Sequence, residues 1–112
     1  MTSKDELAAA TAQIDECERL VDRLHAMCCE PDRSPRMLAI LDDLRSVRDA
    51  IERVDDPITA GDATRMLERI GAQVGYLQVA CCTAARMPLY NDVLNGLATT
   101  QIHVATSVGQ AH

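Results

Sequence analysis

Two adjacent cysteine pairs, Cys28-Cys29 and Cys81-Cys82, are the residues of this chain best suited by type to do chemistry. Deprotonated thiols are soft ligands, and with an imidazole beside them they suit Cu(I) or Zn(II). His25 stands one helical turn before the first pair, and Met27, Met37 and Met87 offer thioethers near the same helix ends. Neighbouring cysteines on a helix point about 100° apart, so one pair cannot aim both thiols at a single ion without unwinding. The C-x-x-C spacing is absent, and Cys17, Cys28 and Cys81 fall on core positions of their helices, where a free thiol behaves as a small hydrophobe. Structural thiols and no cofactor are therefore the expectation. The alternative is a thiol-based metal-binding or redox-sensing module with Cys28, Cys29, Cys81, Cys82 and His25 as ligands.

Other chemistry finds little footing. Asp22 and His25 make half of a carboxylate-bridged di-iron motif, which needs a second acid-x-x-His and two further inward Glu residues that the chain lacks. His103 reads as a polar boundary side chain and His112 is the last residue. The serines, at positions 3, 34, 46 and 107, include two helix caps and no nucleophile elbow. No Gly-rich phosphate loop occurs, so nothing in the sequence supports an enzyme. The stretch Ile40–Ile51 resembles the second helix of the small helical copper-sensing repressors. Met37 stands where that family places its first ligand Cys, and the family's His and second Cys have no counterpart downstream, so the resemblance assigns no residue here.

The elements that must position these groups are helices. With no Trp or Phe and only Tyr76 and Tyr90, the core has to come from Leu, Ile, Val, Ala, Met and Cys, a palette that favours helix packing over sheet. The first helix opens on a Ser3/Glu6 capping box and carries Leu7, Ala10, Ile14, Cys17, Val21, Leu24 and Cys28 at alternating spacings of three and four. Asp15 and Arg19 are spaced for an i, i+4 pair. A loop over 30–35 ends in a Ser cap and a Pro at the first helical position. The second helix runs to about Val54 with Met37, Ile40, Leu44, Val47, Ile51 and Val54 in register, and Leu38 and Leu41 broaden its apolar face. Asp55-Asp56-Pro57 stops it, and Thr59 with Asp62 caps the third helix. That helix carries Leu67, Ile70, Val74, Leu77, Cys81 and Ala84 and ends near Met87. Pro88 either kinks it or opens a fourth, whose stripe of Tyr90, Val93, Leu94, Leu97, Val104 and Val108 is less regular and is weakened by Gly96, Thr99 and Thr100. Short loops make neighbours antiparallel. The expected fold is one all-α domain over 1–112, an up-down four-helix bundle, with three long helices and a short tail as the alternative.

Charge is distributed unevenly over this frame. Residues 1–56 hold fourteen acids and eight bases, whereas from Ile70 onward the formal charges are Arg86 and Asp92. A lone bundle needs a charged outer face on every helix, so an uncharged third implies cover by protein. Gly71 and Gly75 form a small-x-x-x-small pair, and two glycines inside a helix cost about 1 kcal/mol each relative to Ala unless another helix comes close. The expected contact residues are Gly71, Val74, Gly75, Gln78, Val79, Leu97, Gln101 and Val104. They predict a homodimer, or docking on a larger protein partner, for a chain acting as adaptor, assembly factor or inhibitor. A net charge of −6 and a paucity of aromatics argue against nucleic acid. No segment has the length and apolarity of a bilayer span, and the first residues lack the basic and apolar regions of a secretory signal, so a cytoplasmic location is expected. Ten of the eleven basic residues are Arg, a bias that suggests a GC-rich bacterial source.

Overall fold

The computed structural model describes residues 2–27, 34–80 and 84–109. Four helices, α1 (Lys4–Met27), α2 (Ser34–Glu52), α3 (Pro57–Ala80) and α4 (Met87–Ser107), build the molecule, and a single 3₁₀ turn, Ala84–Arg86, leads into the last. No strand occurs among the described residues. Each helix packs on two others, α1 on α2 and α4, and α3 on α2 and α4. The result is the expected up-down four-helix bundle, elongated at 46 × 22 × 18 Å. The α1–α4 seam is the most extensive. In this ring the face formed by α3 and α4 lies opposite the face formed by α1 and α2.

The core follows the stripes read from the sequence. Ala10, Ile14, Cys17, Val21 and Leu24 of α1 meet Met37, Ile40, Leu41, Leu44, Val47 and Ile51 of α2 and Leu67, Ile70, Val74 and Leu77 of α3. Leu38, expected to widen the α2 face, is instead exposed, because that face turns away from both neighbours. The α4 stripe proves regular: Tyr90, Val93, Leu97, Thr100, Val104 and Ser107 are all buried at spacings of three and four. Its two hydroxyls bond their own helix, Thr100 Oγ1 donating to Gly96 O at 2.7 Å and Ser107 Oγ to Val104 O at 2.6 Å. A Ser or Thr that satisfies itself on the preceding turn can sit in a core at little cost.

The helix ends depart from expectation in instructive ways. At α1 the Glu6 amide donates to Ser3 Oγ, as a capping box requires, at 3.4 Å. The reciprocal arm is not made, because the Ser3 amide donates instead to Ser107 O at the end of α4, at 2.8 Å. The end of α2 tightens into i, i+3 bonds, Arg53 N to Ala50 O and Val54 N to Ile51 O, so the α-helix stops at Glu52. Asp56 and Pro57 do more than end α2. Pro57 is the first residue of α3, and Asp56 rather than Thr59 with Asp62 is its cap. Asp56 Oδ1 accepts from Thr59 N at 2.8 Å while Thr59 Oγ1 accepts from Asp56 N at 3.1 Å, a reciprocal pair at a helix start. These bonds hold the Asp56 carboxyl below the usual carboxylate range, the Thr59 amide contributing most. Helix α3 is described through Ala80; Ala84–Arg86 is a 3₁₀ turn and Met87, expected near the end of α3, instead begins α4, with Pro88 at its second position. Gly109, in the left-handed region at φ 76°, closes α4 by donating its amide to Thr106 O.

Candidate functional site

Of the proposed metal ligands, Cys28, Cys29, Cys81 and Cys82 lie outside the described residues, and so do the sulfur positions on which that reading depends. His25 sits half-buried in the last turn of α1. Among the described residues no three His, Cys, Asp or Glu side chains gather closely enough to hold a metal ion. The end of the bundle that holds Met27 also holds Arg86, the buried charge just before α4, whose Nη2 donates to Met27 O at 2.8 Å. A guanidinium on a backbone carbonyl is a charge-assisted hydrogen bond.

Cys17, the described thiol, is fully buried in the α1–α4 seam and points its S–H at Val93 O, 3.7 Å away. Loss of solvation, with a smaller repulsion from Glu16, pushes its pKa up from 9.0 to about 12. Such a thiol stays protonated and unreactive near neutrality. Its partner in the seam is Gly96, where a Cβ would come within 2.7 Å of the sulfur. The glycine read as a weak point of the last helix is thus a place where α1 and α4 meet too closely for a side chain.

His103, read as a boundary side chain, is half-buried on the same seam and pairs Nδ1 with Glu6 Oε2 at 2.7 Å. The Glu6 carboxylate that the capping box would have used is spent here. The charged residues of α1 and α2 pair across their common face: Asp15 with Arg48, and Glu18 with Arg45 at 3.9 Å. The expected Asp15–Arg19 pair does not form, and Arg19 pairs with Glu16. Exposed pairs of this kind contribute little to stability and leave a solvated, predominantly acidic surface.

Hollows on the molecule are open grooves. One runs along α3 past Asp62, Arg65, Met66 and Arg69. Another, of about 460 Å³, lies between α2 and α3, with Arg36 stacked 4.8 Å from the Tyr76 ring centroid at its lip. Neither brings a nucleophile to a base.

The expected contact residues divide into two groups. Val74, Leu97 and Val104 are core residues at 2, 2 and 0 % exposure, so they belong to the interior of the single chain and present nothing outward. Gly71 faces α4, with Leu97 Cδ1 4.0 Å from where its Cβ would be, whereas around Gly75 nothing lies within 4 Å. Gln78 spans the same two helices, donating to Asn91 Oδ1 at 2.7 Å. Val79 is 87 % exposed and Gln101 half-buried. Composition alone missed the α4 half of this surface: Asn91, Asn95, Ala98 and Ile102 are exposed, and Ile102 is 61 % so. The period that reveals them was available once the buried set was known, since they occupy the side of α4 away from Val93 and Thr100.

With Arg86 at 7 % exposure, Asp92 is the sole exposed formal charge among the described residues from Ile70 to Gly109. Toward the start of α3 the same face runs out to Glu68 and Arg65, both exposed. No helix among the described residues is long and apolar enough to cross a membrane. No protein-family model, curated protein or solved structure matches this chain, so its site is defined by its own geometry.

Proposed function

We propose that this chain is a non-enzymatic helical protein that works by protein–protein association, as an adaptor, assembly factor or inhibitor, through the outer face of α3 and α4, self-association included. One observation carries the reading: from Ile70 onward the described outer surface is helical and almost free of charge, while it displays Val79 and Ile102 to solvent. Water-facing helices ordinarily carry charged side chains, as α1 and α2 do, and a neutral face with exposed aliphatic side chains is better suited to contact with protein. The acidic, Arg-interleaved α1–α2 face acts as the solubilising side. Nucleic acid and membrane have no part in this reading.

The test is site-specific photo-crosslinking in the cells that make the protein. A benzophenone side chain at Val79 or Ile102 should give a discrete adduct, and one at Asp42 on α2 should not. Adduct at none of these positions, or equal capture at Asp42, overturns the assignment of the face.

A further inference from the structure

We propose that the occupant of the α3–α4 face is a second copy of this chain, related by a two-fold axis that crosses α4 near Ala98. This rests on the association reading above and commits it to one partner.

The polar chemistry of the face is self-complementary. From Gly71 onward the amides along it are Gln78, Asn91, Asn95 and Gln101, with Glu68 and Arg65 bordering it toward the start of α3 and Asp92 at the edge of α4. An amide carries both donors and an acceptor, so it can bond its own image, whereas a carboxylate or a guanidinium facing its image meets only repulsion. In a two-fold interface every residue near the axis does face its image. A patch whose central polar groups are amides can meet its own image there without setting like charges against each other.

Charge selects the same partner. The chain is formally −6 and its acids are concentrated on α1 and α2. Two copies meeting through α3 and α4 keep those faces on opposite outer sides of the pair. Each lies across a bundle 18 to 22 Å thick, beyond the screening length of about 10 Å at ordinary ionic strength. A basic partner, by contrast, would be drawn to the α1–α2 side, and the neutral face offers it no countercharge. Asp92, the exposed acid of α4, lies at the margin of the face: at about 100° per residue it is about 120° around the helix from Ala98 at the axis and about 60° from Asn95.

The size of the face fits a reversible pair. Helix α4 is about 31 Å long and two adjacent helices span about 20 Å, so each copy can cover about 600 Å² and the pair about 1,200 Å², the lower edge of stable interfaces. Ala98 at the crossing lets the two α4 backbones approach, and Val79 and Ile102 provide the apolar contacts on either side.

Sedimentation velocity in reducing buffer, over a concentration series, tests the pairing. The wild-type chain should pass from 12.2 kDa toward twice that mass as concentration rises. Ala98→Glu and Ala98→Lys, each of which opposes its own image, should each weaken the dimer about hundredfold, and an equimolar mixture of the two should restore it. Circular dichroism at low concentration should show both variants as helical as the wild type, Ala98 being exposed. A wild type that stays at 12.2 kDa throughout, or charge variants that dimerise as well alone as mixed, overturns the second-copy assignment. In that event a photo-crosslinked adduct of a different protein at Val79 or Ile102 would leave the association reading standing, and absence of any adduct would remove both.

Discussion

The contact of Cys17 with Gly96 shows how far one missing methyl group can decide a seam. Gly96→Ala drives a Cβ against the sulfur, and because both lie on helix backbones in the core the strain should lower stability by about 1–3 kcal/mol, read by urea unfolding. Cys17→Ala opens room for that methyl, so the double variant should lose less than the sum of the two single changes, the excess being the coupling energy of a double-mutant cycle. Cys17 also gives alkaline unfolding a signature. Its folded pKa lies above its unfolded one, so the buried thiol's contribution is complete below the unfolded thiol range near 9.0 and is lost as pH rises toward about 12. Wild type should therefore lose more stability between these limits than Cys17→Ala, measured by thermal melts across the alkaline range. The place of Cys17 in the core was legible, because it falls on the apolar period of its helix. Gly96 was not, since local propensity registers only a glycine's cost, and the thiol that makes it necessary belongs to a helix at the other end of the sequence. For the same reason the uncharged stretch could not separate Val74, Leu97 and Val104, which face inward, from Val79, which faces out.

At the scale of the element, the turn between α2 and α3 is held by Asp56 and Thr59. Asp56→Ala removes the side-chain acceptor and should lower the melting temperature, whereas Asp56→Asn, which also caps, should retain most of it. The native carboxyl titrates below its unfolded value, so this cap acts above the ordinary carboxylate range and fades as pH falls through the lowered folded value. Acid melts of wild type and Asp56→Asn should diverge in that window. At the opposite end, Arg86→Met should cost about 1 kcal/mol by removing the donor of the part-buried bond to Met27 O. Thr100→Val should be neutral within about 1 kcal/mol or mildly stabilising, since the hydroxyl serves only its own helix. The sequence announced the stop at Asp-Pro, but the same two residues also begin a helix, and only the short connection makes one motif serve both. The α4 stripe looked ragged because Thr100 and Ser107 count as polar until their local hydrogen bonds are known.

For the molecule as a whole, four stripes with one heptad period and short connections were enough to specify an antiparallel bundle, because each apolar face has few ways to be covered. Core truncation should be severe: Leu44, fully buried, changed to Ala should cost about 2–5 kcal/mol out of a total of about 5–15. Val79→Lys, on the outer face, should leave the low-concentration melt within about 0.5 kcal/mol of wild type. Adjacency of the first and last helices could be inferred from closure of the ring, but its dominance could not. That dominance bears on how the chain must be made. Helix α1 finds its broadest cover in α4, the element farthest from it in sequence, and Ser3 and Ser107 are joined directly. A ribosome delivers α1 before α4, so the stripe of Ile14, Val21 and Leu24 must wait, half sheltered by α2, until α2, α3 and α4 have all been made. A nascent chain halted before α4 should be the form most prone to aggregate and the one chaperones engage.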